Sequence, residues 1–343
     1  MAQEKKALYD LYTRLTDVVA KKMRDVLPRK EGQKASNKAM IGMVMDSSPA
    51  MIHSLDFLIL SEEWYWEKQG NHVIFPESAE VLHNLLRAKY SMDSPEGFTL
   101  PYESFFLAVP HGYSHNGIRL ESFMVTMVPY LKSQDYTTIP FCKDMGIHPP
   151  TSYVHEQATE EARCIAITYR DPVSKVGYIR TLQIDSNLPH ILKCETVEEY
   201  HAAVGEFDAK VGVIGLNKTE LEAQFLAIKL VAALGVYHMA TEGKRLSDGF
   251  PGSKAPRLHS YDKKQPLVFS TLRNSVKVDS GTPAARDAFY RTWFFRQLRD
   301  ERFYRGEHEK TPRGSRYSFV ADTVVGQKVS PHTQAVTGEK GRK

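Results

Sequence analysis

A long helix with almost no polar face is the feature that most constrains the fold of this chain. Residues 219–240 carry apolar side chains on every side, and Thr219 with Glu222 has the spacing of a capping box. The apolar stretch 225–239 contains Lys229, and it is too short to span a bilayer, which needs about 20 residues. The pattern therefore predicts a buried helix at the centre of the protein.

The composition is that of an ordinary soluble, globular protein. The chain has 343 residues, 42% of them hydrophobic and 25% charged, which is enough for one large or two ordinary domains with an apolar core. The net charge of +4 is too small to identify a partner. The three cysteines form no CxxC pair and the N-terminus has no signal-peptide pattern, so we expect a cytoplasmic protein without a membrane partner.

Hydrophobic periodicity predicts a helical N-terminal region over residues 1–95. Apolar side chains recur at helical spacing over residues 5–27, and a Ser-Ser-Pro start signal precedes a second helix that ends at Trp64 or Trp66. A polar stretch is expected to connect these two helices. A third helix is expected to begin near Pro76 and to direct four side chains inward, namely Val81, Leu82, Leu85 and Leu86.

The pattern changes to strands in the following region, residues 96–242. Runs rich in aromatic and β-branched residues at 104–109 and 119–128, and again at 162–170 and 176–185, predict two hairpins of an antiparallel sheet. Residues 243–283 are rich in Gly, Ser and Pro and are expected to be irregular, and residues 329–343 to form a flexible tail. The predicted class is therefore α+β.

Arginines and aromatic residues alternate in the C-terminal segment, residues 284–328, which is expected to end in a strand. Residues 284–316 hold nine Lys or Arg against five Asp or Glu. Guanidinium groups suit phosphates, carboxylates and aromatic rings, so this segment can bind RNA or an acidic peptide. The alternative is structural: the aromatic rings enter the core while the arginines pair with Asp287, Asp300 and Glu301.

Signals for an enzyme are weaker. Asp185 at a predicted strand end, with Glu206, Asp208 and Lys210 before an apolar run, fits a metal-dependent nuclease, but a loop-to-strand junction explains these residues equally well. The chain has no GxxxxGK[ST], GxGxxG or GxSxG motif. The absence of these motifs favours binding over catalysis.

Metal and histidine signals are weak as well. Four possible metal ligands lack the short spacings typical of zinc sites, so we predict no metal and no cofactor; they are Cys142, His148, His155 and Cys164. Cys194 also has no assigned role. His111 and His115 share a loop with Tyr113, which favours a surface position for both histidines.

The C-terminal residues resemble a phage and plasmid family related to a type V-A anti-CRISPR protein, one that triggers loss of the mRNA of the type V effector nuclease. The resemblance lies in AFYRTWFFRQLRDERFYRGEHEKTPRGSRYSFVADTVVG, where Arg291, Phe295 and Arg296 fit the family's arginine–aromatic pattern and residues 324–326 fit its end. Phe294 and Trp293 stand where the family has histidine and glycine. The order of the upstream elements also agrees with the family.

The resemblance implies a non-enzymatic binding protein that suppresses a host defence protein. Such a protein recognises a target peptide, or a nascent chain on the ribosome, and marks the translating mRNA for degradation. By analogy, the arginines would contact phosphate or acidic groups and the aromatic residues would anchor the partner. The expected binding residues are Arg291, Trp293, Phe295, Arg296, Arg299, Arg302 and Tyr304. A sequence-independent RNA-binding protein and the nuclease remain the alternatives.

Overall fold

The computed structural model of the chain describes residues 9–26, 36–47, 54–129, 133–148, 162–171, 177–203, 218–252, 266–274, 289–290, 292–320 and 324–325. Its helices with both ends described are α1 (Leu15–Val26), α2 (Asn37–Ser47), α3 (Ser54–Lys68), α4 (Ala79–Arg87), α5 (Ser133–Tyr136), α6 (Thr138–Met145), α7 (Leu188–Lys193) and α8 (Lys218–Ala240). Residues 197–203 are helical as well.

The strands are β1 (Tyr9–Asp10), β2 (His72–Pro76), β3 (Lys89–Ser91), β4 (Ser104–Leu107), β5 (Val109–Pro110), β6 (Ser114–His115), β7 (Ile118–Arg119), β8 (Phe123–Pro129), β9 (Arg163–Arg170), β10 (Tyr178–Ile184), β11 (Leu246–Asp248), β12 (Val268–Leu272), β13 (Phe289–Tyr290), β14 (Phe294–Gln297), β15 (Tyr317–Val320) and β16 (Val324–Val325). With the helices they give the predicted α+β class.

A seven-stranded sheet forms the centre, in the order β10-β9-β8-β4-β2-β12-β11. The predicted hairpin pairs β4–β8 and β9–β10 are antiparallel, as expected. The sheet as a whole is mixed, however, because β2 runs parallel to both of its neighbours, β4 and β12. The expectation of a purely antiparallel sheet is corrected here: β2 comes from the N-terminal region, and only a crossover connection allows two strands to pair in parallel.

Helices cover both faces of this sheet. Along β2, Ile74 faces the core that contains α8 and α4, while Val73 and Phe75 face the opposite side. That opposite side is covered by α3 and the N-terminal residues, with Trp66 stacked on Phe106 at 3.8 Å between ring centroids. This alternation is the period of two that a strand buried on both faces requires.

Helix α8 lies at the centre of the larger core, as its sequence predicts. It is the single helix in the described part of the chain that is long and apolar enough to cross a membrane, and 83% of its most apolar window is buried inside the protein. Burial of this extent is consistent with the core helix of a soluble protein. Helix α4 packs against it through the four predicted inward side chains, Val81, Leu82, Leu85 and Leu86.

The N-terminal region differs from the prediction in its helix boundaries. Tyr9 and Asp10 form β1, which pairs with β5, and the first helix starts only at Leu15. A residue far along the chain caps the start of this helix: the Glu63 carboxylate on α3 accepts hydrogen bonds from the amides of Leu15 and Thr16 at 2.6 and 2.8 Å. Residues 37–47, expected within a connection and at a helix start, form helix α2 instead.

The segment 243–283 is more regular than its composition predicts. It contributes β11 and β12 to the central sheet, because Val268–Leu272 pairs with β2 along its whole length. Strands of this sheet therefore come from three of the regions that the sequence divides at residues 95 and 242. The remainder of 243–283 lies largely outside the described residues, as does the predicted tail 329–343.

Candidate binding surface of the C-terminal segment

The C-terminal segment forms a small sheet against the core. Strand β14 lies in the middle, antiparallel to β15 and parallel to β3. The pairing with β3 continues beyond the strand end, because the Lys89 amide donates to the Trp293 carbonyl at 2.8 Å. The segment that resembles the anti-CRISPR-related family is thus attached to residues two hundred positions earlier in the chain.

The aromatic residues predicted to anchor a partner are buried instead. Trp293 and Phe295 are 2% and 0% exposed, and Tyr304 is 8% exposed. Phe295 lies between Tyr90 and Phe319, stacked on each at 5.1 and 4.7 Å between centroids. In this conformation a partner cannot reach these rings, which is the core role that the sequence left open as the alternative.

Tyr304 also holds the following loop in place. Its hydroxyl donates to the Leu298 carbonyl at 2.5 Å and accepts from the Gly314 amide at 2.8 Å. The Gln297 side chain adds hydrogen bonds to the carbonyls of Gly314 and Ser94, both at 2.9 Å. These bonds tie the turn after β14 to the core and make it a defined surface rather than a loose loop.

Most of the described arginines of the segment are exposed to solvent, whereas Arg316 is half-buried and donates to the Phe303 carbonyl. Arg296 projects from β14, Arg302 lies in the 3-10 helix Glu301–Tyr304, and Arg299 and Arg305 flank this helix. Arg302 has a weak ion pair with Asp300 at 3.5 Å, and in the described part of the chain Arg296, Arg299 and Arg305 form no ion pair. Arg291 and Asp287 lie outside the described residues, so their predicted roles stay predictions.

An apolar pair accompanies these cations on the outer face of the small sheet, by which we mean Lys89, Phe294, Arg296, Ser318 and Val320. Phe294 and Val320 are directly paired across β14 and β15 and are 37% and 38% exposed. Lys89 is the register partner of Phe294 on the other side. The outer face therefore combines two cations with an exposed apolar patch.

The sequence prediction placed Phe294 outside the binding set and Phe295 inside it. The alternation of side chains along a strand would have distinguished the two residues. Trp293, Phe295 and Gln297 point inward, and Phe294 and Arg296 point outward. Aromatic content alone does not distinguish exposed rings from buried ones; the alternation along a strand does.

The other candidates from the sequence do not meet in one site. Asp185 forms an ion pair with Arg163, with 3.0 Å between Oδ2 and Nε. Glu206, Asp208 and Lys210 lie outside the described residues. His155 is likewise not described, whereas Cys142, Cys164 and Cys194 are buried thiols in three separate clusters. Among the described residues no group of three His, Cys, Asp or Glu side chains is arranged to hold a metal ion.

The two loop histidines have different environments. His111 is exposed and lies 2.7 Å from Asp10, as expected for a surface residue. His115 is buried, with its Nδ1 3.2 Å from Nδ1 of His83 on α4. Burial, with the nearby charges of His83, Arg87 and Lys229, lowers the pKa of His115 to about 4. No spacing rule connects His83 with His115, so the sequence could not reveal this pair.

No protein-family model, no curated protein and no solved structure matches the chain. The family resemblance of the C-terminal segment therefore stays a prediction from its residues.

Proposed function

We propose that this protein is a non-enzymatic binding protein that recognises an acidic segment of a protein partner through the outer face and the arginines of the following turn. The observation that carries this proposal is the division of the C-terminal segment: its rings are buried, while Arg296, Arg299 and Arg305 reach solvent without an ion pair in the described part of the chain. Exposed guanidinium groups on a fixed strand and turn are ready to pair with carboxylates.

The apolar patch favours a peptide over a polyphosphate chain. Phe294 and Val320 offer a small surface between Lys89 and Arg296, which suits a segment that alternates apolar and acidic side chains. The backbone of the strand and the turn is held by Tyr304 and Gln297, so little backbone conformational entropy is lost when the partner binds.

The family resemblance supplies the setting of the proposal. By that analogy the protein is phage-encoded or carried by a mobile element, acts in the bacterial cytoplasm and is anti-CRISPR-like. Its partner would be the nascent chain of a host defence protein, recognised on the ribosome and followed by degradation of the mRNA.

The test is capture from bacterial lysate with tagged protein, with and without RNase, identifying both protein and RNA. The variant Arg296→Ala, Arg299→Ala, Arg302→Ala is expected to lose capture of the partner while it stays folded, because it removes three exposed cations and no core contact. The control Lys21→Ala, Lys22→Ala, Lys143→Ala removes the same charge from exposed positions on α1 and α6 and is expected to retain capture.

Equal capture by the folded arginine variant would contradict the proposal. Capture of a ribosome with one enriched mRNA would support recognition of a nascent chain. If a plain RNA oligonucleotide binds and its affinity falls steeply with salt, counterion release identifies the RNA-binding alternative. A nuclease would lose its activity in EDTA and with Asp208→Ala.

A further inference from the structure

A second site candidate is a cavity of about 770 Å³ beside the small sheet, between α4, α7 and the first half of α8. Its size is within the range of small-molecule sites in proteins. The walls include apolar side chains from all three helices, among them Leu86, Leu192 and Leu226, together with Phe225. The cavity therefore offers an apolar wall to the body of a ligand.

Lys229 is an unusual residue in this wall. It lies on the apolar helix α8, is 7% exposed and donates to the Cys194 carbonyl at 2.6 Å, with its ammonium 5.7 Å from the centroid of the Phe225 ring. An ammonium has three N–H donors, and a carbonyl accepts one of them without balancing the charge. In the described part of the chain no carboxylate lies within ion-pair distance of Lys229.

Burial has the expected effect on this amine. Desolvation lowers the pKa of Lys229, and Glu195, Cys194 and Glu199 act in the opposite direction without reversing the shift. A buried cation is costly unless an anion accompanies it. The cavity is therefore lined by a charge that lacks a complete set of partners.

Further cations line the same cavity. Arg87, Lys89 and Lys193 are exposed and form no ion pair in the described part of the chain. The wall holds five cations against three carboxylates, those of Glu195, Glu198 and Glu222. Glu198 and Glu222 lie 3.7 and 3.8 Å from Lys218, whereas Glu195 forms no ion pair in the described part of the chain. The field inside the cavity thus favours a negatively charged ligand.

We infer that this cavity binds a small organic anion, with its carboxylate or phosphate group against the Lys229 ammonium and its apolar body against the leucines of α4, α7 and α8. This site goes beyond peptide recognition on the outer face. Arg87, Lys89 and Lys193 attract the anion, and Lys229 holds it inside the cavity.

The probe is 4-phenylbutyrate, compared with its neutral amide and with inorganic phosphate, by titration calorimetry on the full chain. The carboxylate is expected to bind, and the amide and inorganic phosphate to bind at least about tenfold more weakly, since one lacks the charge and the other the apolar body. Lys229→Met is expected to weaken binding of the carboxylate by at least about tenfold. Lys244→Gln, an exposed lysine paired with Glu242, is the control and is expected to leave it unchanged.

A second measurement uses the unaltered protein and does not depend on folding of the variant. The ¹³Cε resonance of Lys229, followed against pH, is expected to show a higher pKa with 4-phenylbutyrate bound and no change with the amide. Absence of carboxylate binding, equal affinity for the amide, or an unmoved Lys229 titration would each overturn the inference. Carboxylate binding by the Arg296, Arg299, Arg302 variant is expected to persist, so the two proposals fail separately.

Discussion

At the scale of single residues, the buried titratable groups are the ones that respond to conditions. His115 is nearly inaccessible and faces His83, and its pKa is lowered to about 4, below the 6.5 of an unperturbed histidine. The unfolded chain therefore binds a proton at a higher pH than the folded chain does. Stability contributed by the neutral ring is present above about pH 6.5 and is lost as the pH falls toward 4.

The lowered pKa of His115 predicts how the free energy of unfolding changes with pH. The free energy of unfolding is expected to fall between about pH 6.5 and pH 4, and His115→Asn is expected to reduce this slope, because asparagine does not titrate. Urea unfolding at several pH values measures the slope. His190→Asn, at an exposed histidine, is the control, and an unchanged slope in His115→Asn would contradict the assignment.

At the scale of elements, close packing decides where glycine is required. A Cβ at Gly235 on α8 would lie 2.4 Å from the ring of Phe98, whereas a Cβ at Gly42 on α2 would meet no atom within 4 Å. Both glycines are inside helices, where alanine is intrinsically favoured by about 1 kcal/mol. Alanine at Gly42 therefore reports helix propensity alone, whereas alanine at Gly235 also reports the clash with Phe98.

The same substitution is expected to have opposite effects at these sites. Gly235→Ala should lower the free energy of unfolding by about 1–3 kcal/mol, because the ring of Phe98 has to move within the core. Gly42→Ala should raise it by about 0.5–1 kcal/mol. Denaturant unfolding of both variants checks the pair, and destabilisation by Gly42→Ala would show that the space around α2 is occupied.

At the scale of the whole molecule, the C-terminal segment is both part of the core and a surface. Phe295 packs against Tyr90 from the N-terminal third and lies 6.1 Å from Tyr237 of α8, measured between ring centroids. The neighbouring Phe294 faces outward. Of these two adjacent residues on β14, Phe295 therefore contributes to the stability of the core, and Phe294 is accessible to a partner.

Two alanine substitutions test this division. Phe295→Ala is expected to lower the free energy of unfolding by about 3–5 kcal/mol, because it leaves a cavity where distant parts of the chain meet. Phe294→Ala is expected to change it by less than about 1 kcal/mol but to weaken capture of the partner. Thermal unfolding and the capture experiment give the two readouts, and strong destabilisation by Phe294→Ala would place its ring in the core.

Part of the candidate surface follows from the sequence. The basic segment was identified from its arginines, and Arg296, Arg299 and Arg302 are exposed as a binding role requires. The burial of Trp293, Phe295 and Tyr304 did not follow, since the segment contacts β3 two hundred residues earlier. The cavity around Lys229 was not predicted either, because its walls come from three helices, from β3 and from the β6–β7 hairpin, whose packing no local pattern encodes.

The sequence by itself determined the local elements whose signal is a backbone period: the apolar helix α8, the inward face of α4 and the two hairpins β4–β8 and β9–β10. Only the tertiary structure decided that β2 inserts in parallel between β4 and β12, that Glu63 defines the start of α1, and that His83 meets His115. The physical reason is that periodicity arises from neighbouring residues along the chain. Contacts across dozens of residues depend on which buried faces meet, and the spacing of the residues does not record this.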